Sequence, residues 1–593
     1  MKFPDVIHAA KPEPDLEIPQ AQTAHNNFWD FINLRPESSH MFLWAMSDRG
    51  IPRSYRMMQG FGVNTFTLIN AEGKRTFVKF TWTPTLGVHS LVWDEALKIA
   101  GQDPDFHRRD LADAIGHGVF PTWKFGIQTC EEEKADDFDF DILDATKVWP
   151  EELFPIRYIG EIQLNKNPEE YFPQVEQAAF CTAHVVPGIG FSDDPLLQTR
   201  NFSYFDTQLS RLGVNWQQLP VNRPVCPVMN FNRDGAMQHR IQAGKTNYWP
   251  NRHSVVKPAT AAEGAYIDYP EKIVAIKQRL LSKKFGEHFS QAQLFWNSMS
   301  PHEKTHIIDA LGFELDHCDD PLVYEPMVER LADIDLGLAQ AVAEKVGAPV
   351  PEKQNRPNHG RRSKGLSQTD FTPEALGFEP TIATRMIGIL IADGFNYSEY
   401  EAVKMALTSA GALCFTIGPK RSPVIPSSGG KGVRCEHHFE GMRSTAFDSL
   451  YIPGGKEGVQ NLMKRGRAVH VRILFVLSIP FSLRIFRTFP QIYFSSLLLG
   501  RCRLLTPPLT VDPRSLRPPQ SHRCHRRSRR ARPRRRRRRG HDVLHHRRRR
   551  CRLLRCYHCW RRGRWAVWCQ GDAEDGQGRE EVRRCLCVCD CAA

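Results

Sequence analysis

The sequence predicts an α+β chain in two folded parts followed by a tail, and three patterns carry the prediction. Residues 62–82 read as a β-hairpin, residues 285–347 carry helical apolar periodicity, and residues 384–455 alternate strand with helix. In the hairpin, Thr65-Phe66-Thr67-Leu68-Ile69 and Thr76-Phe77-Val78-Lys79-Phe80-Thr81-Trp82 are rich in β-formers, and Asn70-Ala71-Glu72-Gly73 supplies the turn.

Helices are predicted over 91–101 and over 106–117, the second opening on acidic Asp105, and a further strand over 160–165. Residues 222–269 are irregular, rich in Asn, Pro and Gly. In 285–347 the apolar positions Phe295, Met299, Ile307, Ile308, Leu311, Leu331, Ile334, Leu336 and Leu338 are separated by acidic residues, as expected of helices with one solvated face. Residues 348–372 read as a linker of low hydrophobicity. Beyond it, strands at 386–392, 414–417 and 449–455 enclose a helix at 398–410, which argues a parallel, doubly wound sheet. The Pro453-Gly454-Gly455 turn could cradle a phosphate, but no G-x-G-x-x-G accompanies it.

The charge of +14 and pI near 9.1 mislead. Residues 471–593 hold 31 Arg and no Lys against 8 acidic residues, leaving 49 basic and 58 acidic residues in 1–470. The folded part is therefore acidic and has no polyanion-binding character. Ten of the 16 Cys also lie in the tail, and Cys130, Cys181, Cys226, Cys318, Cys414 and Cys435 are scattered without paired spacing. The tail lacks Lys, Asn and Met altogether, as expected of GC-rich DNA read in a shifted frame, and disorder is its default state. The run Arg534 to Arg539 makes an arginine-tail nucleic-acid binder the reading from another class. Cys556-x-x-Cys559 and the alternating Cys585, Cys587, Cys589 and Cys591 are too poorly spaced or scaffolded for a zinc site. Arg484, Arg487 and Pro490 interrupt the apolar stretch 473–499, which argues against a membrane span.

The most informative stretch is Arg200-Asn201-Phe202-Ser203-Tyr204-Phe205-Asp206-Thr207-Gln208. Residues four apart share a helical face, so the guanidinium of Arg200 can reach the phenol of Tyr204. A free phenol ionises near ~10 and is a poor iron ligand, whereas an adjacent cation favours the phenolate.

This stretch resembles the proximal ligand segment of the large-subunit haem catalases, and the resemblance extends from Phe3 to about Gly347. Other matching blocks are Ser47-Asp48-Arg49-Gly50-Ile51-Pro52-Arg53-Ser54-Tyr55, Asp103-Pro104-Asp105-Phe106, Lys147-Val148-Trp149-Pro150, Leu164-Asn165-Lys166-Asn167-Pro168, Val186-Pro187-Gly188 and Asn232-Arg233-Asp234-Gly235. The resemblance implies a partial catalase β-barrel with its wrapping segment over 1–284 and an α-helical subdomain over 285–347. A linker over 348–383, a partial flavodoxin-like domain of glutamine-amidotransferase type over 384–470 and the Arg/Cys-rich tail over 471–593 complete the expected order.

By the same resemblance, the activity is disproportionation of hydrogen peroxide to water and dioxygen on tyrosine-ligated ferric haem, in oxidative-stress defence. Tyr204 is the implied iron ligand, Arg200 its charge partner, and Asp206, Gln208 and Phe180 the implied haem neighbours. The family's distal histidine and asparagine fall before Met1, so no catalytic residue is carried onto this sequence, and a catalytically impaired fragment is the alternative. Cys181 stands where some members have a histidine joined to the axial tyrosine. His184 resembles a family histidine, although an isolated histidine is more often structural. The haem is of type b or d, the implied assembly a homotetramer, and the compartment cytoplasmic with secretion left open. Neither NADPH, nucleic acid nor membrane is expected as a partner.

Overall fold

The computed structural model describes residues 3–468, apart from 14–17, 20–21, 226–232, 243–244, 254–256, 275, 277, 279–282, 443 and 467. These residues belong to one compact unit, Met1–Phe494. Cys226, Asn232 and the whole Arg/Cys-rich tail lie outside the described residues.

The chain mixes helix and sheet. Helix α1 (Phe3–Ala9) is followed by a minimal antiparallel ladder of β1 (Pro12–Glu13) with β2 (Ile18–Pro19). Helices α2 (Asn26–Asn33) and α3 (Ser39–Met46) come next, and neither was anticipated from the sequence. Each is only eight residues long, too short to show a convincing period, and the pair is stabilised by distant partners. Trp29, Ile32, Phe42 and Leu43 join Phe295, Leu311, Met327 and Leu338 in the largest apolar core of the described chain.

A five-stranded antiparallel sheet has the order β6-β5-β4-β3-β7. Strands β3 (Gly60–Ile69) and β4 (Arg75–Pro84) form the expected hairpin, with Gly73 at φ +78° in its turn. Helices α4 (Trp93–Gln102) and α5 (Phe106–Gly116) follow, each within two residues of its expected bounds. Strand β5 (Thr122–Glu131) pairs with β4 from Trp123 to Glu131, yet the sequence reading passed over it. Polar Lys124 and Gln128 and a central Gly126 blur its alternation. Gln128 is buried because its amide donates to the carbonyls of Trp149 and Phe154. Strands β6 (Arg157–Gln163) and β7 (Ile189–Phe191) form the two edges.

Helix α6 (Pro195–Leu212) crosses to the irregular region, and four helices follow: α7 (Ser290–Ser298), α8 (Pro301–Asp316), α9 (Pro321–Leu331) and α10 (Leu336–Val346). The starts of the last three are set by Ser300 with Glu303 in a capping box, by Asp320 and by Asp335, and Gly347 ends the last at φ +72°. The segment after them is not a solvated spacer throughout. Ser363, Leu366, Ser367 and Phe371 are buried, and the carboxylates of Glu152 and Glu303 accept from Ser363, Lys364, Ser367 and Gln368.

The last described part is a parallel sheet of order β10-β9-β8-β11, built from β8 (Met386–Leu390), helix α11 (Tyr397–Ser409), β9 (Leu413–Gly418), β10 (His437–His438) and β11 (Ser449–Tyr451), with α12 (Lys456–Met463) behind it. It packs against α4 and α5 through Leu91, Ile99 and Phe106 with Met386 and Ala446. At the Gly454 turn, the Glu399 carboxylate already accepts from the Gly454 amide at 2.7 Å, so the chain's own side chain uses that donor.

Asp48 joins three distant segments. Its carboxylate, 4% exposed, accepts from His306 Nδ1 at 2.8 Å and from Gln368 Nε2 at 2.8 Å. The hydrogen bond to Asp48 raises the His306 imidazole above its ordinary 6.5, against the opposing effect of burial. A raised folded-state pKa contributes stability that is complete below the unfolded value and disappears as pH rises through the folded one. Urea midpoints of the wild type are therefore expected to fall between about pH 6 and about pH 8 more steeply than those of His306→Gln. Equal slopes for the two proteins contradict this account.

Candidate functional site

Helix α6 is the best-specified element near the five-stranded sheet. Asp194, 0% exposed, caps it by accepting from the amides of Leu196 at 2.8 Å and Leu197 at 3.1 Å. Pro195 occupies the first turn, where its missing N–H costs nothing, and Gly213 at φ +109° ends the helix. Leu197 is fully buried beneath, so the helix is held at a fixed height on the sheet.

Arg200, Tyr204, Gln208 and Arg211 recur at spacings of four, four and three and therefore share one face. The expected contact is present: Arg200 Nη2 donates to Tyr204 Oη at 2.7 Å, with the guanidinium carbon 5.0 Å from the ring centroid. Two residues that the sequence reading missed hold this arginine in place. Asn64 on β3 accepts from Arg200 Nη1 through its Oδ1, while its Nδ2 donates to Asp194 Oδ2 at 2.9 Å. The Thr65 amide donates to the same Asp194 oxygen at 3.2 Å. Asp194 and Asn64 are 0% and 2% exposed, so the start of this side-chain path is sealed from water, while Arg200 and Tyr204 at its other end are half-buried. The only sequence signal was an Asn, a residue disfavoured in strands, next to the β-forming run 65–69; its partner 136 residues away is set by tertiary structure.

The other expected residues divide. Gln208 is buried, and its amide is used within the protein: Nε2 donates to the Phe180 carbonyl at 3.1 Å and Oε1 accepts from Arg211. Phe180 is 81% exposed, not packed in a core. Asp206 lies on the solvent side of α6, off the Tyr204 face. Cys181 Sγ lies 4.0 Å from the Asn201 carbonyl, about one turn from Tyr204. His184 stacks on Trp216, with ring centroids 5.5 Å apart, and accepts from Gln217 Nε2 at 3.1 Å. Phe202 and Phe205 are also exposed, so the surface around α6 is aromatic and uncovered among the described residues.

Residues 1–255 match the family model "Catalase", and residues 282–346 match "Catalase-related immune-responsive". The chain belongs to the catalase family. Among curated relatives, Catalase-1 of Neurospora crassa is 64% identical over 470 residues, covering 79% of this chain and 63% of that protein. Catalase A of Aspergillus fumigatus is 61% identical over 476 residues, with the same two coverages. A bacterial relative, the catalase of Alkalihalophilus pseudofirmus, is 50% identical over 463 residues, covering 77% of this chain and 66% of that protein. This catalase-family chain thus spans about 63% of the length of the fungal relatives named.

Proposed function

We propose that this chain acts on hydrogen peroxide as a haem catalase, with Tyr204 as the axial ligand of ferric haem. The observation that carries the reading is the 2.7 Å hydrogen bond from Arg200 Nη2 to Tyr204 Oη on a helix fixed by a buried cap. The donor set fits the group. A ferric porphyrin takes an anionic oxygen donor, and here a phenol oxygen stands against a permanent cation that Asn64 and Asp194 hold in place. Exposed Phe180, whose carbonyl is held by Gln208 one turn after Tyr204, offers apolar surface of the kind a flat, mostly hydrocarbon cofactor covers.

When bound, ferric haem supplies the redox chemistry that converts two molecules of peroxide to two of water and one of dioxygen. The protein's described residues provide the proximal electrostatics. Arg200 stabilises negative charge on the Tyr204 oxygen, and Asn64 prevents the guanidinium from swinging to solvent. Asp194 both caps α6 and fixes the Asn64 amide, so the helix start and the ligand's charge partner share one anchor. Gln208 acts on the surrounding backbone, since its polar atoms are engaged by Phe180 and Arg211. The finer readings belong with this proposal: haem b or d, a homotetramer as the assembly, and a flavodoxin-like character for residues 384–470. The all-parallel order β10-β9-β8-β11 supports the last of these.

The direct test adds hemin to the purified full chain and follows the Soret band, then oxygen release from peroxide at an electrode. Stoichiometric pigment with oxygen evolution is expected. Pigment without oxygen favours a haem-binding but catalytically impaired product, and neither signal refutes the reading.

A further inference from the structure

Helices α4, α8 and α10 line a cavity of about 780 Å³, within the usual range for small-molecule sites. Its apolar wall is the Trp93 ring tilted against Phe313, centroids 5.6 Å apart, with Leu97 beside them. Asp309, Gly312, Phe313 and Asp316 follow the i, i+3, i+4, i+7 rule, so α8 presents them as one stripe. Gly312 is the notch in that stripe, since a Cβ there would meet Lys345 Cδ at 2.8 Å. The Lys345 stem therefore lies flat on α8, and its ammonium pairs with Asp309 at 2.9 Å. Asp94 is likewise paired, with Lys98.

Asp316 is the exception. Its side chain is exposed and has no ion-pair or hydrogen-bond partner among the described residues. It is also the last residue of α8, whose final turn carries no basic residue, so an anion stands where the helix end is already negative. His317 does not answer it, because its Nδ1 bonds the Phe313 carbonyl at 2.7 Å, and His306, also on the cavity, is turned to Asp48. A residue that breaks a local rule with no compensating partner in the fold marks a functional position. Trp93 gives a second sign of the same kind. Its Nε1 is buried with no hydrogen-bond partner among the described residues, a cost that phenylalanine would avoid. What the indole adds is the ring face that attracts cations most strongly.

We propose that this cavity binds a small monocationic amine with an apolar body, its ammonium on Asp316 at the end of α8 and its body against Trp93, Phe313 and Leu97. A single charge is the requirement because Asp94 and Asp309 already have their lysines, which leaves one carboxylate open. The site is independent of the reading of Tyr204 as axial ligand, and no covalent step is involved.

The experiment uses the full chain, with phenethylamine as the probe and phenethyl alcohol, its neutral counterpart of the same shape, as the control. Titration calorimetry is expected to show the amine binding about 10-fold more tightly than the alcohol, with the difference shrinking in high salt. Asp316→Asn is expected to erase that preference by lowering amine affinity about 10-fold, while its urea midpoint stays level or rises. Trp93→Leu is expected to weaken both probes by roughly 5-fold. A wild type that binds no amine, or binds amine and alcohol equally, overturns the proposal. Unchanged amine affinity in Asp316→Asn does the same, because an amine held elsewhere ignores that position. A lower urea midpoint in Asp316→Asn makes the carboxylate structural and also overturns it. If Trp93→Leu fails to fold, the exposed Asp316→Asn decides alone. Hemin uptake by Asp316→Asn is expected to match the wild type, which keeps this result separate from the test of the haem reading.

Discussion

Tyr204→Phe is expected to remove haem binding almost completely while leaving the protein folded. The substitution deletes one oxygen and preserves the ring, so the packing of α6 against the sheet is retained. Arg200 keeps Asn64 as a partner, and the lost hydrogen bond costs only about 0.5–1.5 kcal/mol of stability. Changing an outer partner of a metal ligand lowers affinity by about 10–100-fold, so removing the ligand itself is expected to cost on the order of 100-fold or more. Hemin titration with Soret detection measures this directly. Arg200→Ala gives the graded comparison: the oxygen remains but its fixed cation is gone, and a loss of roughly 10–100-fold is expected. Undiminished pigment and peroxide breakdown in Tyr204→Phe defeats the assignment.

Arg56→Ala is expected to be the most destabilising single change in the described chain outside the apolar cores. Arg56 binds Asp110 in a two-pronged pair, Nε to Oδ2 and Nη2 to Oδ1, each at 2.9 Å, with side chains only 3% and 6% exposed. Its Nη1 also donates to Thr384 Oγ1, across the junction with the parallel-sheet part. Thr384 has φ +63°, a conformation unfavourable to a β-branched residue, so its position depends on surroundings such as this bond.

Burial pushes the Asp110 carboxyl up, but Arg56, Ser54 and Arg53 together outweigh it and hold the group below the usual carboxylate range. A depressed folded pKa means stability that is present above about pH 4 and lost as pH falls through the folded value. Removing Arg56 strands a buried carboxylate, for which about 3–5 kcal/mol is the usual loss. That is a large share of the ~5–15 kcal/mol by which proteins are stable. Urea denaturation measures the total, and hydrogen exchange is expected to show the amides of β8 and β9 losing protection first. Arg56→Lys recovers a charge but not the two-pronged geometry and is expected to fall between the two. A loss below about 1 kcal/mol in Arg56→Ala contradicts this account of the junction.

Local chemistry was enough to place several elements. The alternation of Thr65 to Ile69 and of Thr76 to Trp82 around Asn70 to Gly73 specifies a hairpin, because strand period and turn residues agree. The four-residue spacing of Arg200 and Tyr204 likewise specifies their contact, since helix geometry alone brings them together.

Other features depend on partners remote in sequence. Helices α2 and α3 are too short to be stable alone and form by burying Trp29 and Leu43 against helices some 250 residues later. Strand β5 tolerates Gln128 because the Trp149 and Phe154 carbonyls satisfy it. Gln208 and Phe180 were both expected to face a cofactor. In the structure the Gln208 amide is engaged at both ends within the protein, donating to the Phe180 carbonyl and accepting from Arg211, while the Phe180 ring is exposed; spacing along the sequence could show neither.

The sequence by itself determined the local geometry: the hairpin, the helix bearing Tyr204, and the arginine that reaches its oxygen. Only the tertiary structure decided what keeps that arginine in place and which groups engage the Gln208 amide. The physical reason is that periodicity acts over one or two turns, whereas the buried partners Asp194 and Asn64 are satisfied only where distant segments meet.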